Sequence, residues 1–439
     1  MRLFSDQAGG TRRRTTASKA TTLSGEGGRR GMALLMVLTS IAVLTAVVVE
    51  FAYETHVDVT LATNARDELR AHYMARSATN LARLVLHFQN QFDNQSAQLG
   101  QAIAGATGGA AGAASLMPKI QLWKLIPVES GMINMFVGAA AGAPPDEIPL
   151  APSNPKPGAP VPAQGLQSFG TYEGSFSASI EDEESKFNLN RLTVPGAGEK
   201  IFPMQLYLLW RDPRWDFLFD RYNSYNERFT REELIAHIRD WVDPNETGSA
   251  IDRLTFQLAD GFSDEQGPYT KYRPSYKPKN AKFDTVAELF QVAGITDRFM
   301  AAFGDRFTVF PDVNSEINVN TDDPLQQYAN ILIAAQNPDD PALSNPAVIE
   351  TIVQQLELVR MFGGFLGMTV QQFVSVVQAA GIQVRPEILH SPAQNDYLGD
   401  KSETFRITAV GQAGDVTRRI TTVVRYDDKL GKLLYWRED

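Results

Sequence analysis

The longest apolar stretch of the chain lies near its N-terminus, from Met32 to Val49, and it contains no charged residue. A run of about 18 such residues is long enough to cross a bilayer as a helix, whereas the apolar core of a signal peptide usually has about 7–15. Beyond this stretch, apolar residues recur every three or four positions as far as Phe88, and no proline or glycine interrupts residues 32–92. The pattern predicts one helix over 32–92, whose first part spans a membrane and whose second part packs on a folded domain.

Alternation of apolar and polar residues marks strands at two distant places in the chain. The first is the segment 176–180, and the second is 405–439, where three alternating runs are separated by predicted turns at 411–414 and 427–431. A long stretch with helical periodicity lies between the two places, so we expect an α+β head domain that a helical region interrupts. Within the last segment, the residues expected to share one face of the sheet are Phe405, Ile407 and Ala409 in one run, and Ile420, Thr422 and Val424 in the next.

Two low-complexity segments separate the N-terminal helix from the first strand. Residues 97–115 are rich in alanine and glycine, and residues 138–165 contain eight prolines. Such compositions are typical of flexible or polyproline-like connectors. The intervening segment 115–136 is apolar enough to dock on a folded domain, although no function follows from its sequence.

The net charge of −10 is unevenly distributed. Residues 1–31 contain seven basic residues against only Asp6 and Glu26, and they lack apolar periodicity, which predicts a solvated, disordered tail. Basic residues before the apolar run and acidic residues after it place the N-terminus in the cytoplasm. The chain has no cysteine, which excludes disulfides, cysteine-ligated metals and a thiol nucleophile.

The start of the apolar run has a distinctive sequence, Arg29-Arg30-Gly31 followed by Met32. It resembles the cleavage site of type IV prepilin-like proteins, in which a membrane peptidase cuts after the glycine and keeps the helix. The resemblance implies a mature chain that begins at Met32 and is N-methylated there; an uncleaved signal anchor is the alternative. Met36 stands where most such proteins have glutamate, and a subunit without that carboxylate would fit the end of a stack of subunits.

Several further motifs follow one another along the chain. The acidic run 181–184 alone indicates a solvated turn, but followed by the sequence FNLN it resembles a motif of the minor pseudopilin K of type II secretion systems. DWVD at 240–243, KNA at 279–281 and INVNT at 317–321 continue this resemblance, which extends from Gly31 to about residue 335 and includes the final hairpin. The residues that we assign to the family motif are Phe187, Asn188, Leu189, Asn190, Asp240, Trp241, Asn318, Asn320 and Thr321.

The resemblance implies an α+β pseudopilin fold. In this fold, a long N-terminal transmembrane helix packs on a small antiparallel sheet, and a large all-helical domain, similar to SAM-like or helix-hairpin-helix domains, is inserted into the sheet. The expected organisation is a leader at 1–31, the transmembrane and stalk helix at 32–92, low-complexity insertions at 93–168, the first part of the head at 169–200, the inserted helical domain at 201–392 and C-terminal strands at 393–439.

No motif of a hydrolase, metalloprotease, nucleotide-binding or dinucleotide-binding enzyme occurs in the sequence, and we expect no catalytic role. The acidic loops after the DWVD motif offer many oxygen atoms, which calcium prefers, although the residues alone favour a solvated loop. The resemblance to pseudopilin K implies a structural calcium ion in the helical domain. The residues that we expect as its ligands are Asp243, Glu246, Asp264 and Glu265.

The resemblance also implies a function in assembly. The chain would lie in the bacterial inner membrane with its head in the periplasm, be processed by the prepilin peptidase, and join the minor pseudopilins I, J and H at the tip of the pseudopilus. Secreted substrates or the outer-membrane secretin are further expected partners. The alternative is a membrane-anchored DNA receptor of the competence type, because the turn Ala293-Gly294-Ile295 resembles half of a helix-hairpin-helix unit. The second glycine of that unit is absent and few unopposed basic residues flank the turn, so we expect no nucleic-acid binding.

Overall fold

The computed structural model describes twelve segments of the chain. They are residues 26–106, 119–131, 174–193, 197–222, 226–252, 257–311, 316–337, 340–343, 345–363, 366–390, 397–426 and 431–439. Most of the leader, part of the alanine- and glycine-rich segment and the whole proline-rich segment lie outside the described residues. Residues 1–66 and 67–439 form two units, which we describe separately.

The first unit consists of the beginning of a long helix, α1, which runs from Glu26 to Ala106 and is therefore longer at both ends than the predicted span 32–92. Between Gly31 and Ala62 every side chain is exposed. Among the described residues, α1 is the one helix that is long and apolar enough to cross a membrane. It fits a single-pass membrane anchor.

In the second unit, helix α1 packs on a sheet through a stripe of alanines. Ala71, Ala75, Ala78 and Ala82 recur every three or four residues and are completely buried. On the sheet side, a Cβ atom at Gly411 would overlap the carbonyl oxygen of Ala71 and the amide nitrogen of Ala75. Small side chains on the helix and a glycine on the strand therefore allow the two backbones to approach closely.

The sheet has five antiparallel strands in the order β13-β12-β11-β3-β2. They are β2 (Val128–Glu129), β3 (Ser175–Asp182), β11 (Thr404–Ala413), β12 (Val416–Arg425) and β13 (Lys432–Glu438). The predicted faces are confirmed, because the residues of the two sets lie directly opposite one another. These pairs are Phe405 with Val424, Ile407 with Thr422 and Ala409 with Ile420. The first predicted turn, at 411–414, is too long, since β11 continues to Ala413.

The inserted region occupies the chain between β3 and β11. Its helices are α3 (Ala197–Trp210), α4 (Asp216–Phe219), α5 (Arg231–Val242), α6 (Asp297–Phe303), α7 (Pro324–Ala334), α8 (Pro346–Gly363), α9 (Val370–Ala379) and α10 (Pro386–His390). Short 3₁₀ helices cover Leu189–Thr193, Pro213–Trp215, Gly267–Tyr269, Val286–Gln291 and Gly304–Arg306.

The inserted region also contains strands, which the all-helical expectation did not include. β5 (Thr247–Ile251) and β6 (Leu258–Asp264) form an antiparallel hairpin. β4 (Phe187–Asn188) pairs in parallel with β7 (Phe307–Thr308), and β8 (Ile317–Asn318) pairs in parallel with β10 (Leu398–Gly399). Phe187, Leu189 and Leu192 belong to the hydrophobic core of this region, so the insertion begins before residue 201.

The inserted region repeats one local arrangement. The Asn190 side chain accepts a hydrogen bond from the Phe283 amide at 2.8 Å and donates one to the Phe283 carbonyl at 3.1 Å. Asn320 makes the same two bonds with Met368, at 2.7 and 2.9 Å. A helix follows each partner residue within three positions and precedes a glycine with a positive φ, +93° at Gly294 and +86° at Gly381. The two halves of the region therefore share this local arrangement, which FNLN opens in the first half and INVN in the second.

Residues 119–131, here called the strap, join the sheet to the inserted region. The strap contains β1 (Lys119–Ile120), helix α2 (Leu122–Leu125) and β2. β1 pairs with β9 (Leu366–Gly367) of the inserted region, whereas β2 pairs with β3 of the sheet. Trp123 packs edge-on against Phe405, and Lys124 forms an ion pair with Asp322 at 2.9 Å. The apolar segment that the sequence predicts to dock therefore docks on both parts at once.

A candidate metal centre and a buried acidic junction

Three carboxylates converge where helix α5 ends. Asp240 lies in the last turn of α5, Asp243 directly follows the helix, and Glu265 follows β6. All three are buried, and one carboxylate oxygen of each lies within 4.8 Å of the others. The helix places the first two on one face because residues three apart in sequence are neighbours on its surface.

These carboxylates are only partly compensated by their surroundings. Arg239 lies 3.6 Å from Asp243, but its guanidinium also donates to the Ser249 hydroxyl at 3.0 Å. Asn280 donates to Glu265 Oε2 at 3.2 Å. Asp243 Oδ1 and Glu265 Oε1 are buried and accept no hydrogen bond from the N–H and hydroxyl groups of the described residues. Buried acceptors without N–H or hydroxyl donors are costly, which favours a shared proton or a cation between these carboxyl groups.

The energetic consequence is that the cluster resists full ionisation. Burial raises the pKa of Asp240 to about 6 and also raises the pKa of Asp243. Burial, together with the charges of Asp240 and Asp243, raises the pKa of Glu265 to about 8. A hard cation with oxygen ligands would relieve both the crowding of charge and the missing donors. The donor set of this site therefore fits calcium.

The four predicted ligands are not all in this cluster. Asp243 and Glu265 belong to it, whereas Glu246 and Asp264 are exposed and lie outside it. Asp264 instead accepts a hydrogen bond from the Gln266 amide at 2.9 Å, which stabilises the turn after β6. Asp240, which the sequence assigned to the family motif, is the third member, and its spacing of three from Asp243 was the signal for it. Trp241, the neighbouring motif residue, packs in the core and stacks on Phe283 at 6.4 Å.

A second acidic group lies where the chain leaves the sheet. Asp182, Glu183 and Glu184 are each less than 9% exposed, so the interpretation of the acidic run as a solvated turn is wrong. Glu183 pairs with Lys186 at 3.1 Å and with Arg406, and it accepts a hydrogen bond from Thr308. Burial opposes its charge, but these partners outweigh burial and lower the pKa of Glu183 to about 2.

The motif residues of the inserted region hold its two opening segments. Asn318 donates to Asp182 at 2.8 Å, and Asn188 donates to the Pro311 carbonyl at 2.8 Å. The Thr321 hydroxyl accepts a hydrogen bond from the Asp323 amide, and the Thr321 carbonyl accepts one from Arg360. All are interactions within the protein, which indicates a structural role for the motif.

The residues predicted for processing lie in the first unit. Gly31, Met32 and Met36 are exposed residues of α1, and nothing lies within 4 Å of a Cβ atom built at Gly31. The Met36 carbonyl accepts side-chain hydrogen bonds from Thr39 and Ser40, as expected for hydroxyl residues on an apolar helix.

The glycine turn that suggested DNA binding is covered by protein. The Ala293 side chain is fully buried and its amide donates to the Tyr269 hydroxyl at 3.3 Å. A Cβ atom at Gly294 would lie 3.0 Å from Leu234 and 3.1 Å from Phe229. The Ala293 amide is therefore not available to bind a phosphate. The arrangement favours the interpretation of this turn as part of a packing scaffold.

Comparison with known proteins finds similarity in structure but not in sequence. No protein-family model matches the sequence, and no curated protein matches it. Among solved structures, the chain is similar to a chain of the GspK-GspI-GspJ complex from the type 2 secretion system of enterotoxigenic Escherichia coli. The two are 15% identical with a TM-score of 0.43, and the match covers 62% of this chain and 82% of the other.

Proposed function

We propose that this protein is a minor pseudopilin of the K type in a type II secretion system. It is anchored in the inner membrane by helix α1, cut after Gly31, methylated at Met32, and placed at the tip of the periplasmic pseudopilus. Its role is assembly. The sequence from Arg29 to Met32, the helix-on-sheet head and the insertion between β3 and β11 support this role together.

The observation that carries the proposal is a row of exposed apolar side chains on helix α1. Leu69, Tyr73, Leu84 and Phe88 are between 47% and 58% exposed. At about 100° per residue, they share one face of the helix, roughly opposite the buried alanine stripe. One face therefore packs on the protein's own sheet, and the other is free to pack against helices of the minor pseudopilins I and J. The inserted region would then block the addition of another subunit above it.

Glutamate at position 84 tests this interface. Burial of a leucine is worth about 1.5–3 kcal/mol, so Leu84→Glu should weaken association with the minor pseudopilins I and J at least about tenfold. Thermal stability should change little, because Leu84 is exposed in the free protein. Co-purification from detergent-solubilised membranes and secretion of a reporter substrate give the readouts.

Leu358→Glu is the matched control, because Leu358 is 53% exposed and lies on helix α8 of the inserted region. It should retain both association and secretion. Normal co-purification of the Leu84→Glu protein would contradict the proposed interface. Binding of duplex DNA by the purified protein would favour the membrane-anchored DNA receptor instead.

We also propose that the carboxylate cluster is a structural calcium site. Asp240, Asp243 and Glu265 would supply the carboxylate oxygens, and the Asn280 side-chain oxygen, which is buried without a donor, is a further candidate. Calcium would neutralise the cluster. The three carboxylates themselves connect the end of α5 to the turn after β6, so the filled site would fasten the β5–β6 hairpin to the inserted region.

The calcium proposal predicts a ligand-dependent stability. Calcium at about 100 times its Kd should stabilise the protein by about 2.7 kcal/mol, and a chelator should remove this gain. Glu265→Gln should abolish the response and leave the protein in chelator as stable as wild type or more so, since the neutral amide removes repulsion. Asp264→Asn is the control, because Asp264 adjoins Glu265 but lies outside the cluster; it should keep the response. Thermal unfolding with and without calcium would detect these effects. A wild-type protein whose stability does not respond to calcium would contradict the calcium site.

A further inference from the structure

The inserted region is fastened to the sheet at the point where the chain crosses between them. Asp182, the last residue of β3, lies opposite Phe405 of β11, and the Glu183 amide donates to the Thr404 carbonyl at 3.0 Å. The outgoing and returning chains therefore run side by side. We propose that the carboxyl groups of Asp182 and Glu184 form a proton-held latch at this crossing, which fastens the inserted region to the sheet while a proton is bound and releases it when the proton is lost.

Three segments meet at the latch. Asp182 accepts hydrogen bonds from the Ser402 hydroxyl at 2.6 Å and from Asn318 of β8 at 2.8 Å. The Glu184 carboxyl accepts hydrogen bonds from the Thr404 hydroxyl at 2.7 Å and from the Glu403 amide at 3.3 Å, and the Glu184 carbonyl accepts one from the Asn318 amide at 3.1 Å. The pair thus joins the end of β3, the second half of the inserted region and the returning chain.

The neighbouring charges disfavour simultaneous ionisation of Asp182 and Glu184. Glu183 takes the cations Lys186 and Arg406, and Lys186 also contacts Glu181. Lys124 of the strap faces Asp182, although Asp322 and Arg360 also act on that lysine.

Glu184 has no ion pair with the described residues, and its charged neighbours are Asp182 and Glu403, the second of which pairs with Arg425 at 3.4 Å. Burial raises the pKa of Asp182. Burial, with the charge of Asp182 next, raises the pKa of Glu184 to about 8. Because Lys124 faces Asp182 while Glu184 has no cation beside it among the described residues, we assign the proton at neutral pH to Glu184.

The direction of the pH effect follows from the two states of Glu184. Once the latch is open and the side chain is in water, its pKa returns to an ordinary value of about 4.3. Opening therefore releases one proton between about pH 5 and pH 8, and the opening equilibrium should increase about tenfold per pH unit in this interval. The effect is complete above pH 8, where the closed state has also lost the proton.

Hydrogen exchange of the full chain in detergent micelles measures this opening. Protection factors, which correct for the intrinsic pH dependence of exchange, would be determined at pH 5.5, 7.0 and 8.5 for peptides covering 316–321 and 397–404. We expect protection in wild type to fall with pH in both peptides, while peptides from helix α9 remain unchanged.

Glu184→Gln stays neutral at every pH and should retain high protection at pH 8.5. Glu183→Gln is the matched control, since it removes the carboxylate that pairs with both Lys186 and Arg406. It should lower protection at all three pH values and keep the dependence on pH. Equal pH dependence in wild type and Glu184→Gln, or none in wild type, would overturn the latch. If Glu184→Gln does not fold, Asp182→Asn replaces it, and this variant must shift the fall in protection to lower pH for the latch to stand.

Discussion

Replacing Gly31 by valine should leave the full-length precursor uncut, with no detectable mature form. The reason is the resemblance of the Arg29–Met32 sequence to a prepilin cleavage site, where the peptidase cuts after the glycine. Because cleavage would also create the methylated N-terminus at Met32, the variant should lose methylation and pseudopilus assembly as well. Immunoblotting against a C-terminal tag separates the two forms, which differ by the 31 residues of the leader.

Gly28→Val is the matched control for this prediction. It introduces the same side chain three positions upstream, where the resemblance places no cleavage, and should be processed like wild type. Mature protein from the Gly31→Val gene would contradict the prepilin interpretation, whereas wild-type protein that stays at full length would favour the uncleaved signal anchor. The result does not depend on calcium or on the latch, so failure here is distinguishable from failure of either.

Replacing Gly411 by alanine should destabilise the head by about 3 kcal/mol or more. The new Cβ atom would overlap backbone atoms of Ala71 and Ala75, and neither can move without displacing helix α1 from the sheet. Side chains at the edge of a core can change rotamer to accommodate an added methyl group. The backbone of a helix packed through alanines cannot adjust in this way. Urea or thermal unfolding of the full chain in micelles gives the change.

Gly267→Ala is the control for this second prediction. Nothing lies within 4 Å of a Cβ atom at Gly267, and its φ is not in the positive region. The control should therefore alter stability by no more than about 0.5 kcal/mol. A Gly411→Ala protein as stable as the control would contradict the direct packing of helix α1 on β11.

The sequence was most informative where one periodicity decided the structure. Alternation along residues 405–424 predicted which side chains share a face, and the pairing of Ile407 with Thr422 confirms it. The uninterrupted spacing over 32–92 likewise predicted a single helix, although it could not predict that alanine- and glycine-rich residues up to Ala106 would continue it. The high helical propensity of alanine outweighs the low propensity of glycine in this segment, so the helix continues through it.

Long-range partners explain what the sequence did not predict. The acidic run 181–184 resembles a solvated turn because its partners, such as Thr404 and Arg406, lie more than 200 positions later in the chain. The position of Glu265 beside Asp240 likewise depends on how the β5–β6 hairpin folds back on helix α5. The internal similarity of the inserted region had a readable signal, since FNLN and INVN follow the same order of apolar residues and asparagines.

The crossing of the chain at Asp182 and Thr404 has a topological consequence. β3 and β11 are adjacent and antiparallel, so in space they are the two arms of a single β-hairpin, and the inserted region stands in place of its turn. The register of that hairpin is set by its arms and by helix α1, whatever the turn contains. A sheet built in this way can acquire, enlarge or exchange a whole domain at one loop, with changes confined to the strap and the crossing.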